Sequence, residues 1–554
     1  MYVSDLQTGF YNELLRERVL VLVATDVDAL AACRILQYLF HADNIRYTLV
    51  PIARKSDIAK AYREHGEGIA YVLLINCGAT WDILEDCKPS SEDTVFFIAD
   101  SHRPVDVYNI YNPAQVRLLM QPSEEEAVPT FDELFREDEH ADSDSEDVSI
   151  EEIADKRRAR RLWEERRNQL IFDYTQFSYY GTSSAVTMFD LCWKMSRGTN
   201  DVLWWAIIGL SDQYINEKIE KNKYLLDAGD LQAHITRYSI PDGNGDAQSD
   251  TSAGPINTVK ISFECELQLL LYRHWSLLES LQHTPYTACK FKLWSLKGQK
   301  KLQEFLAEIG LPLSQCRQRY ASMDVTLRTN IKDWMSEMTE KYGLDRLTFG
   351  CFVASCGYRH SFFATDVAHS LSALLETVSD EESGNFFDAL DALSWSKLDI
   401  LKRGIEEAKS QAVAVFQQVR TFLDMHQVIS AGPFLYGVIQ DGVPDSWRFG
   451  HPTCLIQLAR FLLQAHAATS RNRRILNLPL VLTAPVLKDT DFSLVVGIPP
   501  LSEDSPKNFF GRAFEQASSS GHCTFRADFL DASVAMVHTE DRSKFFDSLL
   551  RLLC

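Results

Sequence analysis

Two carboxylates, Asp26 and Asp28, stand one residue apart in ATDVDAL, directly after the β-branched run RVLVLVAT (18–25) and ahead of a helical stretch. Carboxylates so spaced at the C-terminal end of a strand point into one crevice, an arrangement suited to hard divalent cations that take oxygen ligands. Two later runs also end in polar residues: AYVLLIN (70–76) in Asn76, and TVFFIAD (94–100) in Asp100, followed by Ser101 and His102. Three strand ends therefore deliver side chains to one rim. Each residue taken singly reads better as a helix N-cap or a turn former than as a ligand; their convergence is what points to a site.

Such a rim requires a parallel sheet. The first 120 residues alternate short β-branched runs, with YTLVPI (47–52) and VRLLM (116–120) completing the set, with the helical stretches ALAACRILQYLF, SDIAKAYREH and TWDILEDC. This alternation is that of a doubly wound α/β domain. Residues 124–155 then hold fifteen acidic residues against one basic, Arg136, too few apolar anchors to offset the entropy of ordering. KRRARRLWEERR (156–167) reverses the charge, and reads either as a nuclear-localisation or DNA-binding patch or as a solvated helix. An interrupted first domain over 1–235, with a disordered insertion at about 121–168, is expected. A mainly helical domain over 256–425 and a smaller α/β domain over 426–554 follow.

Composition narrows the function. With 45% hydrophobic and 24% charged residues and no apolar run near the ~18 residues that span a bilayer, a membrane protein is not expected. MYVSDLQTGF has no basic stretch followed by an apolar one, so export is not expected either. The twelve cysteines include no C-x-x-C pair and read as buried thiols rather than metal ligands. A net charge of −21 repels nucleic acid at long range, so any DNA contact must be local.

The strand-end residues resemble the motifs of the DHH phosphoesterase superfamily, which includes the RecJ single-strand exonucleases and pyrophosphatases. The resemblance implies a two-metal site in which Asp26 and Asp28 are intact, Asn76 stands where the family has Asp, and Asp100 and His102 are kept around Ser101, which replaces a His. Asp212, ending GLSD, matches the last motif. An amide and a hydroxyl in place of an anionic and an imidazole ligand weaken binding of two ions ~3.5–4 Å apart. The expectation is a vestigial site with no metal, no cofactor and no catalysis; the alternative is a surviving metal-dependent single-strand nuclease or phosphoesterase. Arg103, beside His102, is the candidate DNA contact.

A closer resemblance, to the cell division control protein 45 family, rests on MYVSDL, ATDVDALAACRILQ, LINCGA, the acidic-to-basic insertion, FDYTQFSYYGTSSA, WWAIIGLSDQ, PFLYGVI, VVGIPP and KNFFGRAFEQA. It implies a nuclear, non-catalytic subunit of the replicative helicase that joins the MCM ring and the GINS complex and binds single-stranded DNA modestly. It also implies a C-terminal domain of the DHHA1-like kind, although the Gly-Gly-His turn of active relatives is absent. In the middle region, LYRHWSLLESL and KFKLWSLKGQKKLQEFL pair aromatics with basic residues, a composition found at protein contacts. Trp275 and Trp294 read as buried anchors, and Lys297, Lys300 and Lys301 as an exposed partner surface. Ser143 and Ser149, each with a glutamate three residues on, are candidate phosphorylation sites for an acid-directed kinase.

Overall fold

The strands expected at the N-terminus form because their side chains are apolar on both faces, which only a sheet covered on both sides satisfies. The computed structural model describes residues 1–89, 91–122, 126–135, 150–239, 259–357, 360–377, 383–486, 489–501 and 507–553. In it β1 (Arg18–Ala24), β2 (Arg46–Ile52), β3 (Tyr71–Ile75), β4 (Val95–Ala99) and β5 (Val116–Leu118) form one parallel sheet in the order β2-β1-β3-β4-β5. All of β4 is buried, as are all but the first residues of β1 and β3. Each large apolar side chain so buried contributes about 1.5–3 kcal/mol. The chain leaves β1 toward β2 and returns on its other side to β3, so the topological switch point, where such sheets place their sites, lies between β1 and β3.

The insertion carries more structure than its composition suggested, and the expectation of disorder across 121–168 is corrected at both ends. Residues 126–135 include the short helix Phe131–Leu134, opened by a capping box between Thr130 and Glu133. The basic segment lies in the long helix Ile150–Thr175. Glu126 is buried, accepting from the Val105 N–H (3.2 Å) and the Tyr174 hydroxyl (2.8 Å). Phe131 and Phe135 pack edge-on against Tyr111. These contacts anchor the acidic segment at its start. Ser143 and Ser149 lie outside the described residues.

The middle region is rich in helices, as expected, but also contains an antiparallel sheet of Val259–Leu267, Thr348–Cys356 and His360–Phe363. Alternation in VKISFECEL is the signal for its first strand. The 27-residue helix Leu398–Asp424 ties two cores together: Leu401, Ile405 and Ala408 join the core of the parallel sheet, while Val415, Val419 and Phe422 join that of the C-terminal lobe. That lobe is a mixed sheet built on Leu480–Pro485, Phe492–Ile498 and Val534–His538, with Pro452–Thr469, Phe510–Gly521 and Arg542–Leu553 as its main helices. The fold is thus α/β with a helix-rich middle. No helix among the described residues is long and apolar enough to cross a membrane.

Candidate functional site

The switch point brings Asp26, Asp28 and Asn76 together. Asp26 caps the helix Val27–Asp43, accepting from the Ala29 N–H at 2.8 Å. Asn76 follows β3 with φ of 52°, a left-handed conformation that asparagine tolerates better than most residues. Its amide nitrogen donates to Asp26 Oδ1 and to Asp28 Oδ2, each at 3.1 Å. Its oxygen accepts from the Ser101 N–H (3.2 Å) and from Ser184 Oγ (2.5 Å). Asp28 is 1% exposed and also receives the Ser183 hydroxyl and the N–H groups of Ser184 (2.9 Å) and Ala185 (3.0 Å), the first turn of the helix Ser184–Lys194. Burial, with Asp28 beside it, pushes the Asp26 carboxyl up to about 6 despite the opposing Lys218.

Asp100 is committed elsewhere. Its carboxylate accepts from Ala79 N–H (3.0 Å), His102 N–H (2.9 Å) and His102 Nδ1 (2.7 Å). Burial works against its charge, but His102 outweighs burial and holds the carboxyl below the usual range. Arg103 corrects an expectation. It is 3% exposed, its guanidinium donates to the carbonyls of Asp100 (2.9 Å) and His102 (2.8 Å), and Glu126 faces it at 3.8 Å. It is turned inward as part of the scaffold and offers nothing to a phosphate.

Asp212 lies in the last turn of the helix Asn200–Ile215, and Gly209 on that helix lets it approach: a Cβ there would meet Asp28 Oδ1 at 2.7 Å and Ala185 Cβ at 2.6 Å. The helix ends in a Schellman turn. Glu217 is left-handed (φ 50°), the Lys218 N–H bonds Gln213 O (2.9 Å), and the Glu217 N–H bonds Tyr214 O (3.1 Å). The turn folds Lys218 back over the site, where its ammonium donates to Asp212 Oδ2 at 3.2 Å and sits 5.2 Å from the Tyr180 ring centre. Burial opposes that charge, but Asp212 first, then the Tyr180 oxygen, Asp26 and Asp28 outweigh it and raise the lysine pKa.

The C-terminal lobe closes the rim. The Tyr180 hydroxyl bonds Asp531 (3.2 Å) and its ring lies 5.0 Å from that of His102. Asp528 accepts from Ser56 N–H (2.8 Å) and Oγ (2.7 Å), its carbonyl accepts from Lys55 N–H (2.8 Å), and Ser178 pairs with Asn508.

The seven strand-end and helix-end residues do converge, but the donors present do not fit a pair of divalent ions. Where ions need lone pairs, Asn76 points an amide NH₂ and Lys218 an ammonium, while Asp28 and Asp100 already accept several hydrogen bonds each. Among the described residues no group of His, Cys, Asp and Glu is placed to hold a metal. Sequence reading missed Lys218, Ser183, Ser184, Tyr180 and Asp531. Ser183 had a signal, a serine opening a helical stretch; Lys218 had none, because glutamate rather than glycine takes the left-handed position of its turn.

Lys297, Lys300 and Lys301 lie far along the chain on the helix Leu296–Ile309 and are all exposed, beside Leu296 at 79% exposure. Trp294 is buried there and Trp275, half-buried, stacks on His283.

The family model for CDC45 matches residues 19–156 and 119–551. The cell division control protein 45 homologs of Mus musculus and Homo sapiens are 45% and 44% identical, each aligned over 100% of both chains. The crystal structure of CDC45 from Entamoeba histolytica superimposes with a TM-score of 0.72 at 22% identity, over 100% of each chain. The manganese-bound exonuclease RecJ aligns with a TM-score of 0.44 at 10% identity. Identity at this level across the whole length, on an α/β fold of the same shape, places the chain in the CDC45 family.

Proposed function

We propose that this protein, a DNA-replication factor by its family, is a non-catalytic scaffold subunit of the replicative helicase that joins the MCM ring and the GINS complex. The observation that carries the non-catalytic reading is the donor set at the switch point: Lys218 and Asn76 present hydrogens to Asp26, Asp28 and Asp212, and two metal ions cannot be held by groups so engaged. With Arg103 buried, the modest binding of single-stranded DNA is better assigned to the exposed arginines Arg157, Arg158, Arg160 and Arg161 on the Ile150–Thr175 helix. The exposed Leu296 beside Lys297, Lys300 and Lys301 supplies an apolar contact ringed by cations, suited to an acidic face on the ring. A role in replicating chromosomal DNA supports a nuclear location.

The test of the non-catalytic reading is cleavage of end-labelled single-stranded DNA by purified protein in Mn²⁺ and in Mg²⁺. No cleavage above a no-protein control is expected. Mn²⁺-dependent cleavage that disappears in Asp26→Ala would establish the competing reading, a surviving single-strand nuclease.

A further inference from the structure

We propose that Lys218 is a built-in counter-cation, whose ammonium supplies the positive charge that lets Asp26, Asp28 and Asp212 be packed together. Three carboxylates from two elements, the half-buried Asp26 and buried Asp28 at the strand–helix junction after β1 and the buried Asp212 at the end of the Asn200–Ile215 helix, repel one another when ionised and cost free energy when removed from water. Hydrogen bonds from Asn76 and the Ser184–Lys194 helix solvate Asp28 and Asp26, but they carry no net charge. Lys218 does, and its placement is not incidental. The Schellman turn at Glu217 returns its backbone to Gln213, so the side chain departs from a fixed point directly over Asp212. Its side chain is 19% exposed and Asp212 3%, and the Tyr180 ring covers the ammonium from the other side.

Tyr180 in turn bonds Asp531, so the counter-cation sits at the junction of the first lobe with the C-terminal lobe. Losing it should loosen that junction as well as the site. The proposal concerns how the lobe is held together and rests on the geometry alone; cleavage by the wild type would overturn the non-catalytic reading and leave this proposal to the measurements below.

The wild type, Lys218→Met, Lys218→Arg and the double variant Lys218→Met/Asp212→Asn are melted in EDTA and in Mn²⁺, with bound Mn²⁺ followed by electron paramagnetic resonance. In EDTA, Lys218→Met is expected to melt roughly 5 °C or more below the wild type, because one partner of a buried pair has been removed. Lys218→Arg should keep most of the wild-type value. The double variant should melt above Lys218→Met, since the uncompensated charge is gone. Mn²⁺ should raise the melting point of Lys218→Met and be bound by it, and should do neither for the wild type. A Lys218→Met protein that melts with the wild type, that ignores Mn²⁺, or that the second substitution fails to improve overturns the proposal. Should Lys218→Met not fold in EDTA, a folded double variant supports the proposal and an unfolded one overturns it.

Discussion

Asn76 is the residue on which the character of the site turns. Its NH₂ group holds two carboxylates at 3.1 Å, so replacing it by aspartate removes two donors and adds a third negative charge in one step. Asn76→Asp is expected to lower stability at neutral pH by about 2–4 kcal/mol, read from chemical denaturation in EDTA. The sign of its pH dependence follows from Asp26. Burial raises that carboxyl from 3.8 to about 6, so between those values the folded state holds its proton more tightly than the unfolded one. Stability from such a group is present at low pH and lost as pH rises through that window, and the penalty of the variant should therefore shrink toward pH 4. An unchanged or increased stability at neutral pH would mean that the site prefers anions and is built for a cation from outside. Asp26, Asp28, Asn76 and Asp100 were legible because strand ends and N-caps have sequence signatures, whereas Asp212, near the end of a helix, was legible only through the family resemblance of GLSD. The inward turn of Arg103 was not, since its partner Glu126 lies in a segment whose composition reads as solvated.

Among the elements, the parallel sheet could be read directly: each run of β-branched residues became a strand within a residue or two of its expected ends. The middle sheet was harder to read: VKISFECEL alternates as a strand does, but it lies between a polar loop and a strongly helical stretch and its partner strand is far along the chain. The insertion shows the limit of composition, as one buried glutamate anchors an acidic run. Glu126→Ala leaves Arg103 charged, buried and without its carboxylate, and should cost about 3–5 kcal/mol. Its melting point should fall well below the wild type, and an unchanged value would show the arginine to be satisfied by its carbonyls alone. A second buried pair lies in the middle region, where His274 Nε2 faces Asp366 Oδ2 at 3.5 Å. Burial lowers His274 to about 4, and burial raises Asp366 to about 7. The neutral imidazole makes stability rise as pH climbs from 4 to 6.5, whereas the raised carboxyl makes it fall from 3.8 to 7, so the two oppose each other. Asp366→Asn should unmask the histidine: relative to wild type, its stability should increase with pH across that range. A difference that is flat with pH would show that the two groups do not titrate as their burial requires.

At the scale of the whole molecule, the lobes share cores through the Leu398–Asp424 helix and meet at the switch point. Exposed lysines on a helix add little to its stability. Charge reversal at Lys297, Lys300 and Lys301 should therefore leave the melting point within about 1–2 °C while weakening association with the MCM ring at low and moderate salt. Equal co-purification of the triple glutamate variant would move the interface to another face. On the proposed function, this fold serves by assembly rather than by cleavage. Tagged full-length protein, recovered from nuclear extract and analysed by mass spectrometry, is expected to bring down MCM and GINS subunits together, in amounts comparable to itself. Recovery of the folded protein without either complex would rule out the proposed scaffold role.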